Sequence, residues 1–167
     1  FAIQFVPNNA RANDSTLLER LKRKNSGADK PFVYLENNLD GVYQSIKDII
    51  DENPTDNIGI LFEKMIHVDE FSRNLSDEYE VSKYRNQDII PSELKNIIIT
   101  TFKSAKGIEF DIVIIPYFSD GAKNKAEEYY VGATRAKNQV YFLAINDIPQ
   151  IMTHFKEDSY ELVDNRG

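Results

Sequence analysis

Two short stretches concentrate the phosphate-binding side chains of this sequence. The first is Thr100-Thr101-Phe102-Lys103-Ser104-Ala105-Lys106-Gly107-Ile108-Glu109-Phe110-Asp111. It starts where one apolar run ends and stops where the next begins. Lys103, Ser104 and Lys106 are residue types that hold phosphates. Gly107 permits a positive φ or close approach of the backbone to a ligand, and Glu109 can accept hydrogen bonds from sugar hydroxyls. The second stretch is Tyr129-Tyr130-Val131-Gly132-Ala133-Thr134-Arg135-Ala136-Lys137, in which Arg135 is the only arginine between Arg85 and Arg166. Small neighbours leave its guanidinium uncrowded, and a fixed guanidinium can clamp a phosphate in bidentate fashion. On residue types alone, a capped turn with exposed lysines and a helix-surface ion pair of Arg135 with Glu127 or Glu128 are the competing accounts.

The elements around them set where these residues can stand. A short helix is expected from Asp14 or Ser15 through Arg23, then a loop to Pro31. Phe32–Leu35, Ile58–Phe62, Ile97–Phe102, Asp111–Pro116 and Gln139–Ile145 read as strands, with a weaker one over Glu80–Tyr84. Helices are expected from Asp40 to Asn53, over Val68–Leu75, over Lys125–Ala136 and, as a closing element, over Asp147–Phe155. Near-continuous apolar strands alternating with amphipathic helices imply an open, doubly wound α/β domain with a parallel sheet covered on both faces. Such sheets bind ligands beyond the carboxyl ends of their strands, so both stretches are expected at that end. One domain over 1–167 is the reading, with a helical lead-in at 1–30, an α/β core at 31–155 and a tail at 156–167.

The 167 residues are 41% hydrophobic and 28% charged, enough for a packed core, and they include no cysteine and two histidines. Disulfide frameworks, thiolate metal sites and cysteine nucleophiles are thereby excluded. His67 reads as structural, and His154 as a surface or helix C-cap residue rather than a ligand. Asp69-Glu70 and Glu127-Glu128 read as solvated carboxylates that diverge on their helices. No apolar run is long enough to span a bilayer, so no membrane partner and a cytoplasmic location are expected. The net charge is −7, but residues 93–140 hold seven Lys or Arg against six Asp or Glu, which leaves the acidity in the rest of the chain. No Gly-x-x-x-x-Gly-Lys-Ser/Thr loop, Gly-x-Gly-x-x-Gly turn or Gly-x-Ser-x-Gly elbow occurs, so the chain lacks a phosphate cradle of its own. It begins at Phe1 and reads as a piece of a longer protein.

Thr101–Asp111 resembles motif V of UvrD/Rep-type superfamily 1 DNA helicases, T-x-H-x-A-K-G-L-E-F. Tyr130–Lys137 resembles their motif VI, Y-V-A-x-T-R-A. The departures are Lys103 in place of histidine and a lead-in, Lys125–Tyr129, without arginine. The short stretch Tyr117–Asn124 and the lack of room before motif V match the compact members. The resemblance implies a C-terminal, second RecA-like domain without a Walker loop. Such a domain sandwiches ATP against an N-terminal RecA-like domain of the same protein, which holds Mg²⁺ and the catalytic carboxylate. It implies that Arg135 is an arginine finger, that Gly107 and Glu109 face the nucleotide, and that Thr101, Lys103 and Ser104 face single-stranded DNA. Lys106 is left between the two ligands. The isolated chain is then expected to be inactive, with ATP hydrolysis and DNA translocation belonging to the complete protein. The alternatives are a non-catalytic helicase-like interaction module, such as an RNA-polymerase-associated factor, and an unrelated doubly wound enzyme with a small-molecule substrate.

Overall fold

The computed structural model describes residues 30–85, 96–120, 125–153 and 155–167. The expected helix over Asp14–Arg23 and His154 lie outside the described residues. Seven strands form one sheet: β1 (Phe32–Glu36), β2 (Ile58–Phe62), β3 (Val81–Lys83), β4 (Ile97–Thr101), β5 (Phe110–Ile115), β6 (Ala136–Ile145) and β7 (Glu161–Asp164). Their spatial order is β3-β4-β2-β5-β6-β1-β7, and each neighbouring pair is parallel. Three α-helices cross between them: α1 (Leu39–Glu52), α2 (Met65–Leu75) and α3 (Lys125–Thr134).

Parallel strands joined by helices must bury both faces, and two apolar layers do so. Ile58, Ile60 and Phe62 of β2, Ile97 and Ile99 of β4, and Ile112 and Ile114 of β5 meet α1 and α2. The alternate residues Leu61, Ile98, Val113 and Ile115 face the other way, towards α3 and the 102–109 segment. The period of two within each strand sends neighbours to opposite layers. Helix α1 starts at Asn38, whose side chain accepts from Gly41 N–H at 3.0 Å. Asn38 is therefore the cap in place of Asp40, which lies in the first turn.

Several boundaries differ from expectation. No α-helix closes the described chain over 147–155. Pro149 has an extended ψ of 140°, and only a 3₁₀ turn, Gln150–Met152, follows it. Its first amides donate to Asp120, Gln150 N at 2.7 Å and Ile151 N at 3.1 Å. The expected tail contains β7, which runs alongside β1. Its charged flanks and two apolar residues hid it in the sequence, because an edge strand need not look buried. Asn165 N–H donates to Leu35 O at 2.8 Å, and its side chain donates to the buried Glu36 carboxylate at 2.9 Å. Helix α3 ends at Thr134, short of Ala136, because β6 already begins there, paired with Phe110 of β5.

Candidate functional site

The registers place the candidate residues at two opposite edges of the sheet. Thr101 ends β4 opposite Phe62, the last residue of β2, and so lies at the carboxyl edge. Glu109 and Arg135 each stand immediately before a strand, at the amino edge, where Phe110 and Ala136 pair. The expectation that both motifs sit beyond the carboxyl ends is therefore corrected: one stretch connects the two edges. Residues 102–109 replace a crossover helix with tight turns. Ala105 N–H donates to Thr101 O and Ile108 N–H to Ala105 O, both at 3.0 Å. The run carries the chain back by about 20 Å, the rise of some six strand residues.

At the carboxyl edge, Thr101 and Ser104 are buried and Lys103 is exposed. Thr101 Oγ1 accepts from Ser104 N–H at 3.2 Å, so this hydroxyl closes the turn that presents Lys103. Between the edges, Lys103 and Lys106 share a depression of about 200 Å³ with Phe102, Glu127, Glu128 and Val131. The two glutamates read as merely solvated in the sequence, because nothing local to them reveals that the lysines fold over α3.

At the amino edge, Gly107 has φ +86°, and a Cβ built on it would meet nothing within 4 Å. Backbone conformation alone demands glycine here, and the space beside it is open. Glu109 is exposed, two residues on. Arg135 is held by its backbone: its N–H donates to Gly132 O at 3.1 Å, and its carbonyl accepts from Phe110 N–H at 2.8 Å. Its side chain is half-buried. Nη2 reaches Thr134 Oγ1 at 3.5 Å, and Nε is buried without a hydrogen-bond partner among the described residues. The ion pair with Glu127 or Glu128 does not form. A guanidinium has five donors, and among the described residues the contact made by this one is that to Thr134 Oγ1.

Two contributors were missed by sequence reasoning. Tyr129 is fully buried, and its hydroxyl accepts from Ser119 N–H at 3.0 Å while facing the carbonyls of Ser119 (2.9 Å) and Tyr117 (3.1 Å). It ties the loop after β5 to α3. Gly132 stands where the pattern Y-V-A-x-T-R-A has alanine, and a Cβ there would come within 2.9 Å of the Phe102 ring. A hollow of about 770 Å³ lies elsewhere along the amino edge and has Asp51, Asp56 and Glu80 in its walls. That charge is unsuited to phosphate.

Residues 96–143, which contain Thr101, Lys103, Ser104, Lys106, Gly107, Glu109 and Arg135, match the family of UvrD-like helicase C-terminal domains. The match covers less than half of the chain, and over those residues the sequence is similar to UvrD-like helicase C-terminal domains. The RecBCD enzyme subunit RecB of Chlamydia pneumoniae is 34% identical over 87 residues, which cover 48% of this chain and 8% of that protein. The chain thus spans only a small part of that relative's length. Among solved structures, the C-terminal domain of a possible DNA helicase from Lactobacillus plantarum superposes with a TM-score of 0.70 at 17% identity, over 89% of this chain and 96% of that one. The DEAD-box protein SrmB of E. coli, solved with the regulator RraA, gives 0.59 at 13% identity over 81% and 88%. These likenesses establish a RecA-like fold for the chain. No helix among the described residues is long and apolar enough to cross a membrane.

Proposed function

We propose that this chain is the second RecA-like domain of an ATP-dependent DNA helicase or translocase, and that it completes an ATP site opened by an N-terminal RecA-like domain of the same protein. The observation that carries the reading is the Arg135 guanidinium: half-buried and without a carboxylate partner among the described residues, on a backbone whose carbonyl accepts from Phe110 N–H, one residue after Glu109. A half-buried cation without a partner is costly, and a bound triphosphate would offset that cost. In this reading Arg135 donates to the γ-phosphate and stabilises the negative charge that spreads as the phosphoryl group leaves. Glu109 accepts from the ribose, and Gly107 lets the backbone approach the nucleotide. Lys103, presented by the Thr101–Ser104 turn, neutralises DNA phosphates at the other edge without reading sequence. Thr101 and Ser104, being buried, shape that turn. Lys106 lies between the two ligands. In this reading Mg²⁺ is held by the N-terminal RecA-like domain of the same protein. A purely non-catalytic module would leave the Arg135 guanidinium without a use.

The test is DNA-stimulated ATP hydrolysis by the complete protein, with and without Arg135→Ala. Turnover is expected to fall roughly 10³- to 10⁵-fold, the usual worth of an arginine finger. A loss smaller than about tenfold would remove the finger assignment. The isolated chain is expected to show no hydrolysis above background.

A further inference from the structure

The Phe102 ring rests directly on the backbone of α3. A Cβ on Gly132 would lie 2.9 Å from Phe102 Cε1, 3.2 Å from its Cδ1 and 3.0 Å from Ile115 Cδ1. The ring cannot retreat. It is buried, it meets Tyr129 edge-on at a centroid distance of 6.1 Å, and its own N–H donates to Phe62 O at 2.9 Å. On one side Phe102 is flanked by Thr101 and Lys103, the turn at the carboxyl edge. On the other side Gly132 O accepts the N–H of Arg135 at 3.1 Å. A chain of direct contacts therefore links the Lys103 turn to the last turn of α3 and to the guanidinium. Close-packed contacts of this kind have no slack and transmit displacement.

We propose that Phe102 and Gly132 form a positioning pair for Arg135, through which the turn that contacts DNA phosphates sets the aim of the guanidinium at the nucleotide. The inference rests on the function proposed above. Neither residue touches either ligand. Glycine at 132 is required because the ring occupies the volume of a methyl group, and Phe102 is required because a smaller side chain leaves the turn and the helix uncoupled.

The experiment uses the complete protein and measures ATP turnover at saturating single-stranded DNA, KM for ATP, DNA affinity and thermal unfolding. It compares Gly132→Ala, Phe102→Leu, the double variant and Arg135→Ala. Gly132→Ala is expected to lower DNA-stimulated kcat roughly tenfold or more, the scale of a displaced catalytic group. KM and DNA affinity should stay within about twofold, because ground-state binding is untouched. The double variant, in which leucine leaves room for the new methyl group, should recover kcat to within about threefold of the unsubstituted protein. Unchanged kcat in Gly132→Ala, or a double variant no better than the single one, overturns the inference. If Gly132→Ala melts below the assay temperature, Phe102→Leu carries the test. It should reduce the stimulation by DNA while DNA affinity is retained, and full stimulation overturns the pairing. Arg135→Ala separates the two levels. If that variant keeps its turnover, the functional reading itself falls. If it is inactive while Gly132→Ala behaves normally, only the positioning pair falls.

Discussion

Against α1 and α2 the sheet presents Ile58, Ile60, Phe62, Ile97, Ile99, Ile112 and Ile114, all buried, in regular strands with ordinary backbone angles. Against α3 it faces a segment with no regular structure, a glycine at φ +86°, an aromatic ring pressed onto a helix backbone and a buried guanidinium nitrogen without a partner. The first face is a conventional apolar layer that gains free energy from burial. The second adds to its apolar contacts a polar group unmet among the described residues, which only a rigid support can hold in place. Placing site and scaffold on opposite sides of one sheet lets the first layer stabilise what the second leaves unsatisfied.

The sharpest way to break this comparison is to exchange the consequences of substitution. Arg135→Ala, expected to abolish turnover, should leave the midpoint of thermal unfolding of the chain nearly unchanged or slightly raised, because it removes a half-buried cation that has no partner. A large drop in the midpoint would make Arg135 part of the scaffold. On the other face, Ile60 is 0% exposed, and Ile60→Ala should destabilise the fold by about 2–5 kcal/mol. Below its unfolding transition that variant should hydrolyse ATP at the unsubstituted rate. If turnover falls without unfolding, the two faces are not independent.

Much of this division was legible beforehand, and the exceptions have physical reasons. The strands of the apolar layers were visible because burial on both faces demands nearly continuous apolar runs, as in Ile58–Phe62, broken only by Gly59, and in Ile97-Ile98-Ile99. Strand β7 was not, because its place at the edge lets Glu161, Leu162 and Asp164 remain exposed. The residue types of the proposed site stood out in the sequence: Lys103, Gly107, Glu109 and Arg135 by composition and by resemblance. Their location was not, because the rule for parallel sheets points to carboxyl edges. That rule does not foresee a turn segment that returns to the amino edge within eight residues, 102–109. The contact between Phe102 and Gly132 carried no sequence signal at all, since a ring and a missing methyl group 30 positions apart look unrelated until the chain is folded.

A smaller effect sharpens the contrast at Gly107. The open space around it means that Gly107→Ala meets no clash. The cost is the left-handed backbone alone, about 1–2 kcal/mol for a residue with a Cβ. The same substitution should raise KM for ATP several-fold, because the backbone can no longer hold its shape beside the nucleotide. Calorimetry and steady-state kinetics on the complete protein check both parts. A stability loss with KM unchanged would return Gly107 to the scaffold.

The smallest effect belongs to the scaffold face and appears only in alkali. Tyr79 is pushed up to about 12 by burial first, then by its hydrogen bond to Asp51 at 2.8 Å and by the charges of Asp51, Glu78 and Asp48. Tyr117 is pushed up to about 12 by burial and by Glu70. Both pack against the α1 and α2 layer. An acid whose folded pKa exceeds its unfolded value, near 10 for tyrosine, favours folding fully below that value. It loses this contribution as the pH rises through its folded pKa. Stability should therefore fall between about pH 10 and 12 as the unfolded chain ionises these phenols and the folded one resists. Ultraviolet titration of the folded chain should show late tyrosinate formation, and Tyr79→Phe should make the alkaline loss shallower. Because no tyrosine of this pair adjoins Arg135 or Gly107 in the sheet, the alkaline transition reports the scaffold face alone. Ordinary titration of both phenols near 10 in the folded chain would show that this layer is more hydrated than its packing implies.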